Sequence, residues 1–188
     1  DECLTMNLTV NPPNVNECKF PFSASDEKTI IYGLGAIKGV GEAAIDNVIQ
    51  AKQEDGDYKS LFDFCQRIDG KKVNRRTLDA LIMAGALDVF KQNRATLLAS
   101  LPKALKIAVQ HSSNIAVGQN DMFGVSQAVA SEDSQDDTQY EIQKDWSDHQ
   151  RLACEKQTLG LYLTGHPIEQ YLPELAEIVT DAEVKWPS

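Results

Sequence analysis

The chain has 188 residues, 42% of them apolar and 24% charged, with a net charge of −10. This is an ordinary globular profile with room for one domain and a small second one. No apolar run approaches the ~20 residues a bilayer demands and no signal-peptide pattern opens the chain, so membrane partners are excluded from the expectations. The first residue is Asp1, which suggests a piece of a longer chain or a processed one. Cys3, Cys18, Cys65 and Cys154 are scattered without zinc-ligand spacing, so reduced thiols and a cytoplasmic location are expected.

Charge is distributed unevenly. Residues 1–27 carry a net −4, residues 28–110 a net +4, and residues 111–188 a net −10. Only the middle block has the sign that a phosphate backbone attracts.

In chain order, residues 1–27 have little helical periodicity. Pro12 and Pro13 force extended or turned backbone, and the alternation of Met6, Leu8 and Val10 allows a short strand. This stretch reads as the extended tail of a preceding region. Lys28 to Tyr32 is a brief β-like run. Leu34 and Ile37 then mark a short first helix before Gly39-Val40-Gly41, and Ala44, Ile45, Val48 and Ile49 recur at helical spacing through about residue 53. Two glycines around one apolar residue make a tight turn with amides facing outward and Val40 turned in as a plug. The following helix starts with unpaired N–H groups and a positive dipole end, which suit a phosphate. A glycine-rich turn between helices with no ligand fits the three residues equally well.

Ser60 with Asp63 forms a capping-box-like pair ahead of Leu61, Phe64, Cys65 and Ile68, and Cys65 on that face reads as a small core residue. Asp69-Gly70 ends this helix. Lys71, Lys72, Arg75 and Arg76 come next, with Asn74 capping a helix faced by Leu78, Leu81 and Ile82 that Gly85 closes. A helix-turn-helix pattern therefore occurs twice, the second copy with basic residues in place of Gly-x-Gly. Those cations suit phosphate contact and would also suit a solvated turn. Asn93 caps one more helix, running through Leu97, Leu98, Leu101, Leu105 and Ala108, that Pro102 should kink or split. Residues 111–140 read as a flexible polar loop with one apolar pair, Met122-Phe123. Helix returns after Tyr140, through Trp146, His149, Leu152 and Leu159 to about Thr164. Pro167 opens a last helix through Ile168, Tyr171, Leu172, Leu175 and Ile178.

No catalytic constellation emerges. The acids of residues 132–137 form a charge run without a partner cluster. His149 and His166 read as surface and turn residues, and the Gly-Pro-Asp of helix-hairpin-helix glycosylases is missing. No metal-ligand set is found.

In this order the residues resemble a known family. Tyr32-Gly-Leu-Gly-Ala-Ile-Lys-Gly-Val-Gly-Glu-Ala-Ala-Ile45, Ser60-Leu-Phe-Asp-Phe-Cys65, Lys72-Val-Asn-Arg-Arg76 and Leu81-Ile-Met-Ala-Gly-Ala-Leu87 are similar to the tandem helix-hairpin-helix region of bacterial DNA polymerase III alpha subunits. Pro12-Pro13-Asn14-Val15-Asn16 and Leu159-Gly-Leu-Tyr-Leu-Thr-Gly-His-Pro167 resemble the flanking segments, the latter leading to an OB-fold domain.

The resemblance implies a mainly α fold. Its parts would be an extended tail (residues 1–27), a tandem helix-hairpin-helix DNA-binding domain (28–110), a flexible loop with a clamp-binding motif (111–140) and a helical segment (141–188). It implies a segment of a DNA-directed DNA polymerase, a nucleotidyltransferase, whose Mg²⁺-binding carboxylates lie elsewhere. Double-stranded DNA would be held without sequence preference by Lys38, Gly39, Val40, Gly41, Lys71, Lys72, Arg75 and Arg76. The sliding clamp (beta subunit) would be held by Gln119, Asp121, Met122 and Phe123, with Asn120 departing from the family motif. Other holoenzyme subunits are further expected partners. The opposing reading is a structural connector or protein-docking module that touches no DNA.

Overall fold

Short polar side chains placed just before apolar runs start most of the helices. The computed structural model describes residues 8–17, 19–24, 26, 28–118 and 139–172. Helix α1 spans Glu42–Asp55, α2 Leu61–Arg67, α3 Arg75–Met83, α4 Arg94–Gly118 and α5 Asp148–Thr158. Ser60 accepts from the Asp63 amide, Asn74 from Thr77 and Ser147 from Gln150. Asn93 accepts from the Thr96 amide at 2.7 Å. Each cap satisfies one of the orphan donors of a helix's first turn and contributes about 1 kcal/mol. The Asp63 carboxylate completes its box by accepting from the Lys59 amide at 2.8 Å.

The described helices account for the mainly α architecture, with one small sheet. Strands β1 (Thr9–Asn11), β2 (Ser23–Ala24) and β3 (Thr29–Ile31) pair in the order β1-β3-β2, the first pair parallel and the second antiparallel. Both β1 and β2, from the N-terminal stretch, pair with β3. Val15 is buried in the common core and its amide bonds Ala86 O at 3.0 Å. Asn16 exchanges hydrogen bonds with the Tyr58 backbone in both directions at 2.9 Å.

The two helical hairpins share one core. Ile45 and Val48 of α1, Leu61 and Phe64 of α2, and Leu78, Leu81 and Ile82 of α3 belong to a single buried cluster with Leu97 and Leu101 of α4. Each such side chain contributes about 1.5–3 kcal/mol on leaving water, and no single hairpin could bury its own face. Burial pushes the Cys65 thiol up to about 12, which keeps it a neutral core group.

Several features differ from the sequence reading, and the helix expected to reach about Thr164 ends at Thr158. Pro102 does not split α4, which runs unbroken from Arg94 to Gly118. The proline sits on an exposed side, and burial of Leu97, Leu101 and Ala104 offsets its missing hydrogen bond. The first part of the expected loop, residues 111–118, is helical and belongs to α4, and residues 119–138 lie outside the described ones. Residues 139–147 are not helical: α5 starts only at Asp148, and the segment before it lies along α4, where the Ser100 hydroxyl accepts from Glu141 N at 2.8 Å and Thr96 from Gln143 N at 2.9 Å. Of the last expected helix, the described part is a 3-10 turn over Glu169–Tyr171, and residues from 173 onward lie outside the described ones.

Helix α5 of the acidic C-terminal part docks against the basic block through a buried ion pair. Arg94 Nη1 lies 3.2 Å from Glu155 Oε1, with side chains only 6% and 1% exposed. Asp88 meets the other edge of the guanidinium, 2.8 Å from Nη2. Glu155 Oε2 accepts from the amides of Leu163 at 2.9 Å and Thr164 at 3.1 Å. Burial alone would raise the Glu155 pKa, but these amides, the Thr164 hydroxyl and Arg94 together hold it below the ordinary value of 4.5. Breaking a buried pair from one side costs about 3–5 kcal/mol, so Glu155→Ala should lower unfolding stability in urea by that order. A glutamate favoured in its charged form by the fold contributes stability above its ordinary pKa and loses it as pH falls through the folded value. Below pH 4.5 the stability gap between the wild type and Glu155→Gln should therefore shrink, which urea titrations at stepped pH would read.

Candidate nucleic-acid interface

The turn ahead of α1 depends on Gly39, whose φ is +91°, in the left-handed region that glycine enters without steric cost. Val40 packs against the core. The expectation that all the turn amides face outward needs correction. Val40 N–H donates to Ile37 O at 3.2 Å and Lys38 N–H donates to Thr158 O at 2.8 Å. The amides of Gly39, Gly41, Glu42 and Ala43 have no acceptor among the described residues. These four surround the start of a 14-residue helix, where unpaired N–H groups and the dipole favour an anion.

The sequence holds two Gly-x-Gly pairs, and the structure separates their roles. A Cβ on Gly33 would lie 2.5 Å from Pro21 C, and one on Gly35 would lie 2.8 Å from Phe20 O. Those two glycines admit the crossing of the N-terminal segment. Gly41 has an ordinary φ of −87° and nothing within 4 Å of a Cβ position. Neither its backbone angle nor its packing requires glycine, and the surface in front of it is bare.

Beside this turn lies a cleft of about 420 Å³, with Lys38 and Gly39 on one side and Arg76, Asp79 and Ala80 of α3 on another. Arg75 Nε sits 3.0 Å from Asp79 Oδ1, so this cation is engaged and the acid is neutralised. The ion pairs among the described residues include none of Lys38, Lys71, Lys72 and Arg76. All four are exposed.

The second hairpin is built differently. Asp69 Oδ1 accepts from the Lys71 amide at 2.9 Å, and Asp69 O accepts from Lys72 N and Val73 N at 2.9 Å each. Its own N–H donates to Asn47 Oδ1 of α1 at 2.8 Å. A carboxylate of the chain thus occupies the place where an anion would meet this turn, and the turn is tied to the first hairpin's helix. The side chains of Lys71 and Lys72 are what it offers to a ligand.

The structure brings together Lys38, Gly39, Gly41 and Arg76. Lys71 and Lys72 stand on the separate second turn. Gln119, Asp121, Met122 and Phe123 lie outside the described residues. The sequence reading missed Asn47, Asp69 and Thr158. An Asp-Gly turn signal marks Asp69, but nothing local marks a partner as far along the chain from Lys38 as Thr158. Among the described residues no three of His, Cys, Asp and Glu group as metal ligands, and no helix is long and apolar enough to cross a membrane. His149 and His166 are both exposed, and His166 Nδ1 accepts from the Ile168 amide at 3.2 Å.

A fold of this kind, two helical hairpins on one core with bare amides and cations at the first turn, is a helix-hairpin-helix unit, and residues 7–97 match the family described as "Helix-hairpin-helix motif". Over 177 residues, 94% of its length, the chain is 48% identical to the DNA polymerase III subunit alpha of Vibrio cholerae. It is 46% identical over 185 residues to that of Escherichia coli and 40% identical over 190 residues to that of Pseudomonas aeruginosa. The chain is a homologue of one segment of the bacterial DNA polymerase III alpha subunit, spanning about 15% of the length of the first of these relatives.

The contrast between the glycines is measurable as stability. Gly33→Ala should destabilise by about 1–3 kcal/mol, because its Cβ overlaps backbone. Gly41→Asp, at an N-cap where an acid is favoured, should leave the melting temperature equal or higher.

Proposed function

We propose that this chain is a non-catalytic segment of a replicative DNA polymerase, one that grips the duplex backbone without reading its sequence and tethers the enzyme to its sliding clamp. The observation that carries the first half is Gly41, which the fold leaves bare without needing it bare, beside amides without acceptors. A phosphate approaching α1 would meet these amides, with Lys38 and Arg76 adding positive charge from the flanking cleft. Lys71 and Lys72 would reach a second phosphate by their side chains alone. Contacts of this kind position a duplex and carry no base information. Nucleotide transfer and its Mg²⁺ chemistry belong to carboxylates outside this segment, whose own residues hold the duplex in place. The relatives' shared name, DNA polymerase III subunit alpha, supports the assignment to replication.

The second half rests on Gln119, Asp121, Met122 and Phe123. An extended peptide carrying two adjacent apolar side chains and an orienting amide suits a hydrophobic pocket on a partner. The clamp is the proposed owner of that pocket.

Fluorescence anisotropy with a labelled duplex at low salt tests the grip. Gly41→Asp and Gly39→Val should each weaken binding, changes of base sequence should not, and log K should fall with log [salt] at a slope of about −3. Wild-type affinity in a folded Gly41→Asp chain would instead favour the connector reading. For the tether, Met122→Ala combined with Phe123→Ala should abolish co-elution with the clamp while duplex affinity stays unchanged. Co-elution at the wild-type level would remove the motif assignment.

A further inference from the structure

The cleft beside the first hairpin has a wall that the helix-hairpin-helix motif does not contain. Gln157 and Thr158, the last residues of α5, line it opposite Lys38 and Arg76. The C-terminal end of a helix is ordinarily a poor neighbour for a phosphate, because its free carbonyls carry partial negative charge. Here three of the last four, those of Glu155, Lys156 and Thr158, are occupied, and only Gln157 O has no donor among the described residues. Thr158 O accepts from Lys38 N–H at 2.8 Å, and Leu159 O accepts from the Tyr32 hydroxyl at 2.9 Å. Glu155 O and Lys156 O are taken by the amides of Leu159 and Gly160. The chain then turns at Gly160, with φ +82°, where a Cβ would stand 3.6 Å from Lys38 Nζ. The helix end is thereby seated directly against the Lys38 side chain with three of its last four acceptors already used.

Gln157 is left on the rim. It is exposed, and its side-chain amide has no hydrogen-bond partner among the described residues. We infer that Gln157 is a further nucleic-acid-binding residue, donating its side-chain N–H to a phosphate or sugar oxygen of the same duplex strand that lies over Lys38 and Arg76. A neutral amide is a common ligand of this kind. Its position on α5 gives the DNA face a third wall, contributed from a part of the chain that is otherwise strongly acidic. The inference rests on the duplex-binding reading above and adds a contact to it.

The experiment compares Gln157→Glu, Gln157→Ala and Lys38→Glu with the wild-type chain in duplex anisotropy at low salt, with thermal melting run in parallel. The Gln157 side chain is exposed and makes no hydrogen bond among the described residues, so the melting temperature should be unchanged in both of its variants. A carboxylate in its place repels phosphate as well as losing the donor, so Gln157→Glu should bind about tenfold more weakly, with Gln157→Ala intermediate. Wild-type affinity in Gln157→Glu alongside weakened binding in Lys38→Glu would overturn the role of Gln157 and leave the duplex reading standing. Wild-type affinity in both would remove the duplex reading, and the inference with it.

Discussion

A single guanidinium joins the two chemically unlike halves of this molecule. Arg94 begins α4 and meets Asp88, the Met83 carbonyl and Glu155 of α5. Removing such a charge from water is strongly unfavourable, and only a full set of partners makes it tolerable. The arrangement, beside the bonds that Thr158 O and Leu159 O receive from Lys38 and Tyr32, also helps to dock α5. Its buried side chains are Leu152, Glu155 and Thr158, so little apolar area is available to hold it. The ion pair and the two amides received by Glu155 supply orientation where hydrophobic contact is scarce. Through α5 the pair also fixes the carbonyl that receives the Lys38 amide, so a contact distant from the hairpin sets how much of the hairpin's polarity remains free.

The two hairpins show how one supersecondary arrangement accommodates two different turn chemistries. Both bury the same kind of apolar face in one core. In the first, glycine gives a turn with amides left over. In the second, Asp69 supplies an internal acceptor and the turn closes on itself. The shared core needs both hairpins, while the chemistry of each turn is independent of it. Arg67 shows a cation put to an internal use. Its guanidinium donates to the Ala51 and Gly56 carbonyls at the end of α1 and lies over the Tyr58 ring, serving as a clip between hairpins.

Most of the helical framework was legible because its signals are local. Ser60, Asn74 and Asn93 each stand just before an apolar stripe, and a short side chain there can cap only the helix that begins beside it. The sheet was only partly legible, since strands of two or three residues are too short for alternation to mark them and β1 pairs with β3 across a long intervening stretch of chain. The end of α4 is hidden in the sequence for a specific reason. Ser112 and Ser113 look like loop residues, yet their hydroxyls bond back to Ala108 O and Val109 O within the helix. In the candidate site, Gly39 and Lys38 could be found from spacing, whereas the wall from α5 and the Arg94–Glu155 pair arise from tertiary contacts that no window of sequence contains.

The segment of residues 139–147 carries a consequence for what counts as one folding unit. Its backbone satisfies Thr96 and Ser100, both almost wholly buried. Its Tyr140 hydroxyl receives the Leu61 amide at the head of α2, while the ring packs edge-on to Phe62 at 5.2 Å. A piece trimmed to the motif match would end at residue 97, inside α4. It would strand Thr96 and the Leu61 amide, and deprive Lys38 of Thr158. The evolutionary module and the cooperative module are therefore different lengths. What a family signature recognises stops inside α4, while the body that keeps the hairpin in shape extends to the turn around Thr164.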